Sequence, residues 1–381
     1  MGKQNDLKSM AENKGGEYKN DGRIGYINSL DGLRGVTICM IAFLWHFWMF
    51  QPENGYPFGN IFVFSYNYGY LGVEIFFMIS GFVMAYNYQD KIAEGEISFN
   101  KYFFKRVKHL WLINFVTLLL VTVEHFIYSR YTGTTYVASN FDLWHFILNV
   151  FLLQYGITEI PYQYSYNVPA WCLTIELVCY IIYFVIIRSD QNKGYWLMKC
   201  MSCVLIGLVV LNQRLEYPII NFEMARGITS YFIGVVLCEM YKRYHKNKSS
   251  LTNMGIYIYL LISYIAFRKF GTGWMGENIY LAILCFAPAI IWITVNSTLV
   301  NKVLSIKPIV FLGRISLYIY LLHFPVQYFI KIIDVMFDLK IRYSSCLFII
   351  LYSFGTILIS AIAYGFYSKV NNVWIAKRVK E

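Results

Sequence analysis

Polar positions along this chain are sparse and gathered between long apolar runs. The runs fall at 33–50, 67–86, 109–128, 170–187, 195–212, 226–241, 254–267, 278–295, 308–330 and 345–367, and most approach the ~20 residues a helix needs to cross a bilayer. The pattern predicts an all-α polytopic integral membrane protein with about ten transmembrane helices. Two of the runs, 226–241 and 254–267, are short and are expected to extend into their flanks. A further stretch, Asp142 to Ile157, is short and amphipathic with His145 and Asn149, the pattern of an interfacial or re-entrant helix. No internal repeat is visible, and the longest connection, 129–169, is too short for a soluble domain. The expected division is a polar N-terminal tail at 1–28, a membrane domain at 29–367 and a basic tail at 368–381.

Composition agrees with the pattern: 57% of the residues are hydrophobic and only 14% charged, against roughly 25% charged in a soluble domain. The first 25 residues contain no apolar h-region, so no cleavable signal peptide is expected and Ser29 to Phe50 serves as the first insertion signal. The net charge of +11 is informative loop by loop, because cytoplasmic loops carry excess Lys and Arg. With the N-terminus inside, 22 of the 33 Lys and Arg fall on the cytoplasmic side; if 142–157 also spanned, the bias would largely reverse. Both termini are therefore expected in the cytoplasm. No basic stripe interleaved with aromatics suggests nucleic acid. The eight cysteines lie in apolar stretches and read as small core residues, with no metal site among them.

Ionisable residues inside apolar helices are costly and mark functional paths. His46 lies about 18 Å along the first helix from Arg34; Glu74 and Glu176 lie about 10 and 9 Å inside the second and fourth helices from their outer ends; His323 lies about 22 Å up the ninth from the inside. These groups are expected to share one layer in the outer half of the membrane. At the opposite surface Lys101, Lys105, Arg106 and Lys108 precede the third helix, and Arg34 and Arg314 begin the first and ninth. Such a cluster suits a phosphorylated cytoplasmic ligand or anionic headgroups.

Several stretches, in order, resemble the bacterial acyltransferase family 3 of membrane O-acyltransferases: SLDGLRGVTICMIAFLWH (29–46), LGVEIFFMISGFVMAY (71–86), FFKRVKHLW (103–111), VPAWCLTIELVCYIIY (168–183), ARGITSYFIGVVL (225–237) and FLGRISLYIYLLHFPV (311–326). The chain departs from the family pattern in two places. His46 stands one residue farther from Arg34 than the family spacing, with Trp45 at the usual position, and Cys172 replaces a serine. An offset of eleven positions returns a helix to about 20° of the same face, whereas twelve rotates it by about 120°. A π-bulge between Arg34 and His46 would restore the alignment.

The resemblance implies a bacterial plasma-membrane enzyme that moves an acyl group, most often acetyl, from cytoplasmic acyl-CoA to a hydroxyl of a surface polysaccharide or lipid-linked glycan. It implies His46 as base, Glu176 as the carboxylate orienting the imidazole or positioning the acceptor, and His323 as a second base or an oxyanion donor. Arg34, Lys105, Arg106, Lys108 and Arg314 would hold CoA, and Glu74 and Trp171 would contact the acceptor. No metal is implied. A transporter or flippase of a lipid-linked sugar could use the same buried charges, but repeated halves or broken helices would then be expected.

Overall fold

A computed structural model describes residues 27–157, 164–190, 193–244, 250–270, 279 and 282–378, with side chains omitted at a few helix ends. Most of the tail at 1–28 lies outside these residues, as does the start of the 278–295 run. Among the described residues there are helices and no strand.

The first helix, α1 (Asn28–Phe50), is continuous but changes its winding twice. It is α-helical to Cys39, π-helical over Met40–Leu44 and 3-10 over Trp45–Phe50. α2 (Gly59–Ala93) is interrupted by a 3-10 turn at Gly69–Leu71, and α3 (Phe99–Thr132) follows, with the Ser98 hydroxyl accepting from the Lys101 N–H at its N-terminus. α4 (Leu143–Val150) is the short helix expected within 142–157. Its cap, Asp142, is held below the ordinary carboxylate range, chiefly by the backbone N–H of His145. Then come α5 (Val168–Ser189), α6 (Lys193–Gln213), α7 (Phe222–Tyr244) and α8 (Ser250–Phe270). α9 (Ala287–Asn296) is entered through a π turn, and α10 (Thr298–Leu304) continues it after a sharp bend of 89°. α11 (Lys307–Arg314), α12 (Ser316–Phe337) and α13 (Cys346–Arg378) complete the chain.

Among the described residues seven helices are long and apolar enough to cross a membrane, α1, α2, α3, α5, α6, α12 and α13 up to Lys369, and the bent α9–α10 pair makes an eighth if it is one span. The expected runs 226–241 and 254–267 do extend, to α7 and α8. α7 has the length but carries Glu223, Arg226, Glu239, Lys242 and Arg243. It is nevertheless buried, because Gly81 of α2 sits on the Tyr231 carbonyl and Gly234 of α7 on the Met78 carbonyl, where a Cβ would overlap backbone. The 308–330 run is two helices rather than one, since the chain breaks at Ile315. α11 lies along α1 instead, with Gly32, Gly35 and Gly313 allowing backbone contact on Leu304, Ile309 and Asp31. His323 is therefore seven positions, about 10 Å, into α12 and not 22 Å into a longer helix.

Candidate active site

The irregular half of α1 would leave carbonyls unsatisfied if it stood alone, since its winding breaks the regular ladder. Side chains from neighbouring elements meet three of them. Tyr352 Oη lies 3.5 Å from the Ala42 carbonyl oxygen, Gln327 Nε2 donates to that of His46 at 3.2 Å, and Tyr136 Oη donates to that of Met49 at 2.7 Å. Gly69 and Gly72 of α2 make room for this segment, with Trp45 and Ile41 closing on them. The π turn absorbs one residue through its wider closure, so the twelve positions from Arg34 to His46 turn about as far as eleven regular ones.

His46 so placed meets His323: His46 Nδ1 is 2.8 Å from His323 Nε2, with parallel rings. His323 Nδ1 lies 3.2 Å from the Ile319 carbonyl oxygen, which can only accept. In the neutral pair Nδ1 of His323 therefore carries its proton and its Nε2 accepts from His46 Nδ1–H. The lone pair of His46 is thereby assigned to Nε2. His323 is fully buried and His46 half-buried. Pro325 removes the N–H that would bond to the Leu321 carbonyl, and Asn167 Nδ2 donates to it at 2.9 Å. The imidazole of His46 is thus oriented by His323, not by Glu176, and both nitrogens of His323 are engaged.

A cavity of about 1310 Å³ opens where α1, α3 and α11 meet and runs inward between α2, α5 and α12. Arg34, Arg106, His109, Lys307 and Arg314 line it, and Val73, Phe76, Phe77, Cys172, Leu173 and Tyr320 form its deeper, mainly apolar wall. Tyr320 precedes His323 by one helical turn, their rings 6.0 Å apart. Of the basic residues singled out from the sequence, Arg34, Arg106 and Arg314 line the cavity. Lys105 instead donates to the Tyr88 hydroxyl at 3.1 Å, and Lys108 is exposed. Arg34 leans on Asp31 at 3.5 Å, and Arg106 lies over the Tyr88 ring at 4.5 Å. Glu176 also faces the cavity. Its Oε1 accepts from Ser80 Oγ at 2.9 Å and from the Tyr180 hydroxyl.

The four titratable groups expected in one layer find different partners. His46 and His323 pair with each other and Glu176 joins the cavity, while Glu74 is buried in an ion pair with Arg226. Arg226 Nε donates to Glu74 at 2.6 Å and Nη1 to Glu223 at 2.5 Å, and its guanidinium stands 5.7 Å from the Trp171 ring. Glu74 and Trp171 thus meet around Arg226. His145 has Asp142 at Nδ1 (2.5 Å) and the Asn140 amide at Nε2 (3.1 Å), so both its nitrogens serve the loop. The sequence reading passed over His109, Tyr320 and Arg226. Arg226, a charge within an apolar run, carried the same signal as His46; Tyr320 carried none, being one of 34 tyrosines.

The profile of a family described as "Acyltransferase domain" matches residues 27–365. The chain is 23% identical over 336 residues to the "Putative O-acetyltransferase SACOL0978" of Staphylococcus aureus (strain COL), covering 81% of this chain and 52% of that protein. It is 21% identical over 321 residues to the "Putative acetyltransferase ORF330" of Acidianus two-tailed virus, covering 82% and 87%. With "Acyltransferase MdmB" of Streptomyces mycarofaciens it shares 24% identity over 177 residues, or 46% and 43% of the two chains. This chain spans about half the length of the Staphylococcus relative. No solved structure matches.

Proposed function

Because the chain belongs to this acyltransferase family, we propose that it is an O-acyltransferase of the bacterial plasma membrane that moves an acyl group, acetyl first among candidates, from cytoplasmic acyl-CoA to a hydroxyl of a cell-surface polysaccharide or lipid-linked glycan. The observation that carries the reading is the His46–His323 pair one helical turn beyond an arginine-lined cavity. In the proposed topology ten helices cross, counting the polar α7, the shorter apolar α8 and the bent α9–α10 pair as one span each, and both termini are cytoplasmic. The mouth lined by Arg34, Arg106 and Arg314 then faces the cytoplasm, where it suits the phosphates of CoA.

A hydroxyl becomes an adequate nucleophile only as a base removes its proton, and neutral imidazole is the usual base near pH 7. His46 Nε2 takes that role in the proposal, with His323 fixing the tautomer. The thioester carbon gains the acceptor oxygen, the C–S bond breaks, and the proton passes from His46 to the CoA thiolate, so none is gained or lost. Glu176 is left to accept a donor group of the ligand. Glu74 and Trp171, gathered around Arg226, shape the acceptor side. Buried charges and the bent α9–α10 pair also suit a flippase, but a basic cavity leading toward a histidine pair is what acyl transfer from CoA asks for.

The test is isotope transfer from labelled acetyl-CoA in inside-out vesicles that contain the native envelope glycan. Label is expected in the carbohydrate fraction with the wild type and, with His46→Ala at equal abundance, at least about 100-fold less. No label with acetyl-CoA or longer acyl-CoA donors would overturn the proposal.

A further inference from the structure

Buried polar atoms without partners are few in folded proteins, and each calls for an explanation. Two such atoms belong to residues that line the arginine-lined cavity: Arg106 Nε and the Tyr320 hydroxyl. Arg106 belongs to the basic mouth. Tyr320 belongs to the deeper wall, one turn before His323 on α12, and is 6% exposed. The thiol of Cys172, a weak acceptor, lies beside its hydroxyl. The other candidate for donating to a developing negative charge, His323, has both ring nitrogens engaged by Ile319 and His46. Glu176 and Ser80 cannot serve, because the carboxylate only accepts and the serine proton is given to it at 2.9 Å.

We propose that Tyr320 is a catalytic residue whose hydroxyl donates a hydrogen bond to the acyl carbonyl oxygen as it becomes an oxyanion. The inference rests on the acyl-transfer reading above. As the acceptor oxygen bonds to the thioester carbon and His46 Nε2 takes its proton, the carbonyl π pair moves onto oxygen and is met by Tyr320 O–H. When the pair returns, the C–S bond breaks and the thiolate leaves, protonated by His46. Tyr320 keeps its own proton throughout. A donor carried on a buried side chain of a packed helix needs little reorganisation at the moment of reaction, which is what makes such a contact effective.

The experiment measures labelled acetyl transfer in inside-out vesicles over a range of acetyl-CoA concentrations, for the wild type, Tyr320→Phe and full-length protein carrying fluorotyrosines of graded acidity at this position. Tyr320→Phe is expected to lower the maximal rate about 100-fold at equal abundance while leaving the KM for acetyl-CoA within about twofold, because the contact forms only in the transition state. Across the fluorotyrosine series the rate is expected to follow phenol acidity, which a packing role would not produce. A Tyr320→Phe rate within about threefold of wild type, a loss confined to KM, or a rate indifferent to fluorination would overturn the inference. If Tyr320→Phe fails to accumulate, the fluorinated series, which keeps the ring and its hydroxyl, decides alone. Label with the wild type and none with His46→Ala, alongside full transfer by Tyr320→Phe, would sink this inference and leave the acyltransferase reading standing. No transfer by the wild type would remove that reading first.

Discussion

His323 differs from His46 in having no nitrogen to spare, and that difference divides their work. Its Nδ1 is committed to the Ile319 carbonyl and its Nε2 to His46, so its use is to fix which nitrogen of His46 holds a lone pair. Partners of this kind set the tautomer and basicity of the ring they touch. Replacing His323 with Leu removes the acceptor for His46 Nδ1–H and lets the two tautomers of His46 compete; the maximal transfer rate is expected to fall about 100-fold with the donor KM unchanged. His323→Gln, whose Oε1 can accept from His46 Nδ1–H, is expected to restore at least a tenth of the wild-type rate. Equal losses in both variants would indicate a packing role instead. Both histidines were legible in the sequence because an ionisable group in an apolar run is costly wherever it lies. Tyr320 was not, since a tyrosine in a membrane helix is ordinary, and what sets it apart is a hydroxyl without a partner on a residue that lines the cavity.

At the scale of elements, the site depends on the change of winding in α1. The extra residue between Arg34 and His46 is absorbed by the π turn at Met40–Leu44, and the displaced carbonyls are met by Tyr352, Gln327 and Tyr136. Deleting Met40 would let the turn relax to regular α-helix while keeping an eleven-position offset and the same face, to within about 20°. Inserting an alanine there would rotate the histidine by about 100°. Transfer is expected to persist within about tenfold in the deletion and to fall more than 100-fold in the insertion, a difference that the proton-transfer geometry of general-base catalysis requires; the labelled-acetyl assay with matched protein abundance reads it. The sequence hinted at the bulge, because the family resemblance implies an eleven-position offset and a π-bulge would bring the twelve positions here back to the same face. It gave no hint that the 308–330 run would break at Ile315, which follows from contact rather than local preference: Gly313 fits the Asp31 carbonyl of α1, and that fit carries Arg314 to the cavity beside Arg34.

For the whole molecule, hydropathy reads the outside better than the inside. α6 and α13 expose Leu205, Ile206 and Val209, and Ile350, Leu351 and Phe354, as surfaces facing lipid tails would, and such helices stand out in any apolar scan. α7 sits inward, where Glu74 can meet Arg226, and a buried helix with paired charges blurs the apolar signal. The basic mouth and the histidine pair are separated along the direction of α1 and α12, so the molecule has a polarity that the proposed orientation turns into sidedness. Acyl-CoA added outside sealed right-side-out vesicles should give no labelled glycan until the membrane is permeabilised, whereas inside-out vesicles should react at once. Within that arrangement each arginine offers charge-assisted hydrogen bonds worth about 1.5–3 kcal/mol. Arg106→Gln should therefore raise the donor KM about tenfold or more, with the maximal rate nearly kept, because phosphates far from the reacting carbon are held equally in the ground and transition states. Lys108→Gln, exposed and outside the cavity wall, should change the donor KM less than twofold. If Lys108→Gln instead weakened donor binding as much as Arg106→Gln, the phosphates would have to rest on the membrane surface rather than in the cavity, and the route from arginine mouth to histidine pair would lose its starting point.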